Sequence, residues 1–282
     1  MLNRLLKGIV RCLPDALHHQ VKYAMYFKRW PRLAHPRGYS EKLMRRKIYP
    51  RSVYTMLSDK YKVREFIAGL WGDAYLIELY AHGAELSYDV FRRLPRQFVL
   101  KANHGSGYNR LVFDKEQVSY AELYDQTRCW MRANFYQQSR ERHYRDIEPC
   151  IMVERLLLEN GEVPHDLKFH CFNRDGVIRI FIQVDYQRFG EHRRDVFDEN
   201  WNRTEIRLVL PNAEQPLAAP SQLADMLRLA RLTAQQFSYL RVDFYQVGER
   251  VYFGELTFTP GAGLSRLMPE RIEQEWGGYF TE

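Results

Sequence analysis

An α+β fold is what this 282-residue sequence predicts. Two stretches read as β-hairpins: 166–173 with 177–184 around Arg174-Asp175-Gly176, and 240–246 with 250–257 around Gly248. Two others, 119–136 and 221–237, read as amphipathic helices, the second capped by Ser221. Strands and helices do not alternate one for one, so a uniform parallel sheet is not expected.

The remaining elements follow in chain order. Leu2, Leu5, Leu6, Ile9, Val10 and Leu13 recur every three or four residues, with Arg4, Lys7 and Arg11 among them. That is a short basic amphipathic helix. It opens a basic helical segment at 1–37, and Pro31, Pro36 and Pro50 punctuate a loop-rich stretch after the first helices. Residues 52–70 read as one helix carrying Asp59, Lys60 and Arg64 on its polar side. Strands are expected at 75–79 and 97–102, the latter alternating Phe98 and Leu100 with Val99 and Lys101. His104-Gly105-Ser106-Gly107 is a flexible turn before a strand at 110–113. A short apolar strand at 151–154 leads through 156–158 to a turn at Asn160-Gly161. Residues 211–220 are a linker, and Thr259-Pro260-Gly261-Ala262-Gly263 follows the last strand. The expected divisions are 1–37, a region at 38–96, a subdomain at 97–158 with the glycine loop, and a C-terminal subdomain at 159–282.

Hydrophobic residues are 45% and charged residues 27% of the chain, an ordinary globular composition. No apolar run is long enough to span a membrane, and Lys7 and Arg11 interrupt the N-terminal apolar stretch, so no secretory signal is expected. Cys12, Cys129, Cys150 and Cys171 lie far apart with no CxxC pair, as expected of reduced thiols in a cytoplasmic protein. The net charge of +7 is unevenly placed: residues 1–50 hold 12 Lys and Arg against Asp15 and Glu41, or +10, leaving −3 for the rest. Charge gathered at one terminus argues against a nucleic-acid-binding face. The basic helix either packs on its own domain or brings the protein to an anionic membrane surface.

Chemistry concentrates in the last hairpin. Period two puts Arg241 and Asp243 on one strand face, and Glu255 and Thr257 on one face of the next. With a turn at Gly248, position 241 is expected opposite 255, and Asp243 one diagonal from Glu255. Two carboxylates at that range repel each other, and a divalent cation relieves the repulsion. A plain Arg241–Glu255 surface ion pair is the alternative. Lys101 ends an apolar strand beside the glycine turn, where its ammonium and the loop N–H groups can meet phosphates; a solvated strand end is again the alternative. GxxxxGK[ST] is absent.

The order Asp59-Lys60, Lys101-Ala102-Asn103-His104-Gly105-Ser106-Gly107, Val153-Glu154, Asp166-Leu167-Lys168, Arg241-Val242-Asp243, Gly254-Glu255-Leu256-Thr257-Phe258-Thr259-Pro260-Gly261 resembles the ATP-grasp superfamily. More narrowly it resembles the TupA-like branch, over about residues 38–275. The resemblance implies two α+β subdomains clamping a nucleotide, with ATP and Mg2+ as cofactors. It implies phosphate contacts from Lys60, Lys101 and the loop His104, Gly105, Ser106 and Gly107. Adenine contacts are implied at the hinge Glu154, Arg155 and Leu156, and ribose or phosphate contacts at Asp166 and Lys168. Asp243, Glu255 and Thr257 are implied as metal ligands, Thr257 standing where the family commonly has asparagine. Arg241 and Lys101 are implied as catalytic residues that steady the transferring phosphoryl group. Gly261 and Gly263 match the loop over the acceptor in related ligases.

The implied activity is carbon–nitrogen ligation through an acyl phosphate, on a cell-surface polysaccharide or its precursor, with an amine or amino acid as second substrate. Arg188, His192, Arg193 and Arg194 cluster in a stretch read as a loop, where arginine forks suit a uronic-acid carboxylate or sugar phosphate. Alternatives are a sugar or glycan kinase, a glycosyltransferase, and a non-catalytic ATP-binding scaffold. The expected location is the cytoplasm, with peripheral attachment to the inner membrane face or to polysaccharide-assembly machinery.

Overall fold

The structure is a computed structural model describing residues 12–186 and 192–282. The basic helix read at the N-terminus and Arg188 therefore lie outside the described residues. Helices α1 (Asp15–Phe27), α2 (Tyr39–Ile48), α3 (Val53–Ser58) and α4 (Val63–Trp71) come first. A four-stranded sheet follows, built from β1 (Leu79–Gly83), β2 (Phe98–Ala102), β3 (Asn109–Val112) and β4 (Ile151–Glu154). Its order is β1-β4-β2-β3, all antiparallel. Helix α5 (Tyr88–Arg93) precedes β2; α6 (Tyr120–Arg132) and α7 (Phe135–Ser139) follow β3.

The second half forms a five-stranded antiparallel sheet in the order β10-β9-β5-β6-β7. Its strands are β5 (Asp166–Arg174), β6 (Val177–Tyr186), β7 (Arg193–Phe197), β9 (Tyr239–Val247) and β10 (Arg250–Thr257). Strands β8 (Arg207–Leu208) and β11 (Leu267–Met268) pair separately. Helix α8 (Leu223–Ala234) lies between β8 and β9, and α9 (Arg271–Gly278) ends the fold. The α+β expectation holds.

Alternation along the strands separates two environments. One face of the large sheet carries Leu167, Phe169, Cys171, Ile182, Val184, Val242 and Phe244. These pack on Ile67 and Trp71 of α4 and on Met226, Leu229 and Ala230 of α8. The opposite face carries Asp166, Lys168, His170, Gln183, Asp185 and Asp243, all buried and polar. In the smaller sheet Phe98, Leu100, Ala102, Ile151 and Val153 pack with Leu123 and Trp130 of α6. That leaves Lys101 and Glu154 on the other face, toward the large sheet's polar side.

Several local expectations are corrected. The helix expected over 52–70 is two helices broken at Asp59. There the Asp59 carboxylate accepts from the N–H groups of Tyr61 and Lys62, an interaction that competes with helix continuation. The strand expected at 75–79 begins only at Leu79, because a 3-10 turn at Asp73–Tyr75 uses the preceding residues. Arg193 and Arg194, read as loop, lie on β7 and so point to opposite faces. Helix α2 was not foreseen; its buried Arg46 donates to the carbonyls of Tyr239 and Phe258, fixing it to the large sheet.

Helix α9 secures the start of α2. Glu273 accepts from the Ser40 N–H at 2.7 Å and from its hydroxyl at 3.1 Å. Burial pushes the Glu273 carboxyl up from 4.5 to about 7 despite those donors. Between these values the folded chain holds a proton that the unfolded chain has released. Its stabilising share is complete below 4.5 and lost as pH rises through about 7. Urea unfolding is expected to show that fall across the interval. Glu273→Gln keeps an acceptor for Ser40 and is expected to flatten the slope; an unchanged slope in the variant would refute the burial account.

Candidate active site

The two sheets and the Asp59–Lys62 turn enclose a cavity of about 450 Å³. Its first wall comes from the helix break. The Lys60 N–H donates to the Asn103 carbonyl at 3.2 Å, and the Lys60 ammonium donates to the Gly105 carbonyl at 2.5 Å. The Asn103 amide donates to Asp59 at 2.9 Å. Lysine and glycine loop are thus joined by the residues that interrupt the helix. Burial lowers the Lys60 ammonium, and Lys101 adds to that, while Glu255 opposes it at 4.0 Å.

The second wall is the smaller sheet. Lys101 and Glu154 lie on adjacent strands, two positions apart in register, and their side chains meet at 2.6 Å. The other Glu154 oxygen accepts from Arg64 at 3.0 Å. Gly105 and Gly107 line the cavity beside them. At Gly105 a Cβ would lie 2.8 Å from the Tyr108 ring and 3.0 Å from Phe135, so the tight seat of this loop requires glycine.

The floor is the polar face of the large sheet. Lys168 stands opposite Asp243 across β5 and β9 and donates to it at 2.8 Å. Arg241 spans the last hairpin. Its Nε donates to Asp243 Oδ1 at 2.6 Å, and its Nη2 donates to Asp243 Oδ2 and Glu255 Oε1, each at 2.8 Å. Thr257 donates its hydroxyl to Glu255 at 2.7 Å. Burial alone would raise the Glu255 carboxyl, but Lys60, Arg241 and Lys168 outweigh it and hold the group down at about 2. It is ionised at neutral pH.

Register makes this floor, and it differs from the expectation. Glu255 is directly opposite Asp243, and Thr257 is opposite Arg241. A bulge between Phe253 and Glu255 shifts the ladder. Without it Gly254 would face Asp243, and Glu255 would point to the apolar side. A Cβ on Gly254 would lie 3.0 Å from the Asp243 carbonyl and 3.1 Å from the Tyr245 ring, so the bulge also depends on glycine.

Toward β7 the same face continues as a hydrogen-bonded chain. Tyr239 bonds His170 at 2.9 Å, His170 bonds Gln183 at 3.0 Å, and Gln183 donates to Asp185 at 2.9 Å. Asp185 also meets Arg194 at 2.5 Å and His192 at 3.2 Å. Burial lowers the His170 imidazole to about 3, so it is neutral in this chain. Burial would raise Asp185, yet Arg194 and its other donors leave it below the usual range.

Of the residues singled out from sequence, Lys60, Lys101, Gly105, Ser106, Gly107, Glu154, Asp166, Lys168, His192, Arg194, Arg241, Asp243, Glu255 and Gly261 line this one cavity. His104 does not: its ring is buried against the carbonyls of Trp130 and Ala133, where it anchors the loop from behind. Arg155 is exposed and gives its N–H to Glu78, and Leu156 is buried away from the cavity. Arg193 turns to the Asn212 carbonyl, opposite Arg194. Gly263 sits against Leu43 and Met44, and Thr257 acts on the cavity through Glu255. Sequence reasoning missed Arg64, His170, Gln183 and Asp185 as lining residues. The signal for the last two was their alternation with Ile182 and Val184 in β6.

Two facing carboxylates suit magnesium, which takes one or two protein carboxylates and completes its shell with water and phosphate oxygens. Among the described residues, no group of three or more His, Cys, Asp or Glu side chains could hold an ion alone. The donor set therefore fits an ion that arrives with a phosphate-bearing substrate.

A TupA-like ATP-grasp family model matches residues 41–281. No curated protein matches the chain in sequence. Among solved structures, a D-alanine–D-alanine ligase from Bacillus anthracis is similar at 16% identity and a TM-score of 0.42, over 73% of this chain and 58% of that one. A D-alanine–D-alanine ligase from Helicobacter pylori is similar at 14% and 0.42, over 80% and 62%. N5-carboxyaminoimidazole ribonucleotide synthetase from Thermus thermophilus is similar at 14% and 0.43, over 78% and 51%. The matched part thus spans about three fifths or less of these proteins' length.

Gly254→Val tests the bulge. It is expected to cost about 1–3 kcal/mol by overpacking against the Asp243 backbone, read by urea unfolding. It is also expected to weaken ATP binding, because Glu255 no longer faces Asp243. Unchanged stability and nucleotide affinity would show that the register does not need glycine there.

Proposed function

The chain belongs to the TupA-like ATP-grasp family, and from that membership we propose that it is an ATP-dependent carboxylate–amine ligase. Its acceptor would be a uronic-acid carboxylate of a cell-surface polysaccharide or precursor, and its second substrate an amine or amino acid. The observation that carries the reading is the meeting of Lys60, Lys101, Lys168 and Arg241 with Asp243 and Glu255 in one cavity.

In this reading an acceptor carboxylate oxygen attacks the γ-phosphorus of ATP and the bond to ADP breaks, giving an acyl phosphate. The amine nitrogen then attacks the acyl carbon, phosphate leaves, and the nitrogen loses a proton to solvent as the amide forms. Lys60 and Lys101, from either side of the glycine loop, neutralise phosphate charge. Arg241 does so from the floor, held in place by its two carboxylate partners. Such preorganised charge does most of the catalysis in phosphoryl transfer. Asp243 and Glu255 would hold magnesium, which would supply positive charge against the phosphates. Arg194, with the His192 ring beside it at the far end of the same floor, supplies a cation for an acceptor carboxylate. The reading places the enzyme in the cytoplasm, where ATP and sugar precursors are available.

Purified chain with MgATP, a uronic-acid oligosaccharide and an amino acid is expected to release ADP and phosphate and to form an amide visible by mass spectrometry. Asp243→Asn and Glu255→Gln are each expected to lower turnover by about a hundredfold or more. Phosphate retained on the sugar would favour a glycan kinase, and binding of ATP without ADP release would favour a scaffold; either result sinks the ligase reading.

Arg194→Ala is expected to raise the acceptor KM about tenfold or more, as loss of a charge-assisted hydrogen bond would, with the KM for ATP unchanged. Equal acceptor saturation in variant and parent would remove Arg194 from acceptor recognition.

A further inference from the structure

Helix α1 has an outer face that a solvated helix should not have. Asp15, His19 and Tyr23 point into the protein. On the opposite side, Leu17, Val21, Ala24 and Met25 follow at helical spacing, ahead of Lys28. Leu17 is 42% exposed and Met25 48%. Just past the helix Trp30 is 63% exposed, the most exposed large apolar side chain among the described residues. Lys28, Arg29 and Arg32, all exposed, surround it. Of the acids of this region, Glu270 is exposed and meets Arg29 at 3.8 Å, and two others are turned away. Asp15 is buried under Arg140 and Arg142, and Glu41 accepts from backbone N–H groups.

Beside this face runs a second cavity, an open groove of about 960 Å³. Met25 and Tyr26 give it an apolar wall, and Lys22, Arg132 and Arg140 line it with positive charge. No acidic side chain among the described residues lines it.

We propose that the outer face of α1, with this groove, docks on an anionic lipid bilayer. Apolar side chains between cations match the boundary between acyl chains and headgroups, and tryptophan favours that boundary. The groove's cations meet lipid phosphates at the rim. A second copy of the chain is a poorer occupant, because a two-fold contact would set Lys28, Arg29 and Arg32 against themselves. The surface is separate from the ligase cavity, and the inference stands whether or not the ligase reading does.

The test is flotation of the full chain with lipid vesicles. Binding is expected to vesicles containing phosphatidylglycerol and not to pure phosphatidylcholine, and to weaken with salt. Lys22→Gln and Arg132→Gln are each expected to lower partitioning about fivefold, from roughly 1 kcal/mol per cation. Leu17→Ser with Met25→Ser is expected to abolish the blue shift of tryptophan emission on binding, as is Trp30→Phe. Thermal unfolding at the parent temperature would confirm that these surface variants are folded. No binding to phosphatidylglycerol vesicles overturns the proposal. So does binding that none of the substitutions alters, which would place the contact elsewhere on the chain. Self-association without vesicles that Met25→Ser abolishes would assign the face to a second copy and also overturn it.

Discussion

The Arg241 guanidinium, bridging Asp243 and Glu255, is the contact on which the cavity depends. Two carboxylates directly opposed across a hairpin repel each other, and burying either without a partner is costly. Arg241 reaches both from one planar fork, a geometry that lysine does not offer. Its burial works against its own charge, yet Asp243 and Glu255 hold its protonation even more firmly than usual. The bulge at Gly254 gives Glu255 its place opposite Asp243. The rest of the floor repeats this pairing outward, with Lys168 on Asp243 and Arg194 on Asp185.

Pairing within the sheet does not by itself bring the two sheets together. That falls to the break between α3 and α4. The turn that begins at Asp59 interrupts a helix, offers Lys60 to the cavity, and ties itself to Asn103 at the end of the strand carrying Lys101. Asn103 in turn accepts from the Cys150 N–H at 2.7 Å, so the glycine loop, the turn and the start of β4 share one amide side chain. On the far side of the cavity, Lys47 of α2 donates to the Ala262 carbonyl at 3.0 Å, and the Thr259 hydroxyl donates to buried Glu141. The loop over the cavity's far end is therefore held from the N-terminal half of the chain.

What could be read from the sequence divides along physical lines. The two long hairpins were legible because strand alternation and turn residues are local. Lys101, Asp243 and Glu255 were legible because charges inside apolar strands need a reason, whereas Lys60 was legible only through the family resemblance. The facing of Asp243 and Glu255 was not, since a bulge adds one residue to a ladder and leaves only a glycine as its trace. The break at Asp59 was hidden for a similar reason: the segment has helical periodicity, and only the long-range bond to Asn103 shows why it stops. Arg193 and Arg194 were read as one cluster, whereas a strand sends neighbours to opposite faces. Asp185 went unremarked because its partners, Arg194 and His192, come from a stretch that was taken for a loop.

Charge balance over the cavity sets how it can accept a nucleotide. Lys60, Arg64, Lys101, Lys168, Arg194 and Arg241 line it against Glu154, Asp166, Asp185, Asp243 and Glu255, a surplus of one positive charge. A triphosphate carries more negative charge than that surplus neutralises. Binding therefore requires cations that arrive with the nucleotide, or lysines and arginines released from their present carboxylates. Lys60 alone among these cations has no carboxylate closer than 4.0 Å, and its ammonium is turned to the Gly105 carbonyl. It can take a phosphate oxygen without leaving a buried acid unpaired. Arg241 cannot, because it pairs with both oxygens of buried Asp243 and also with Glu255. Its release becomes favourable only when another cation replaces it at those carboxylates, so under the ligase reading nucleotide and metal binding at this floor would be linked.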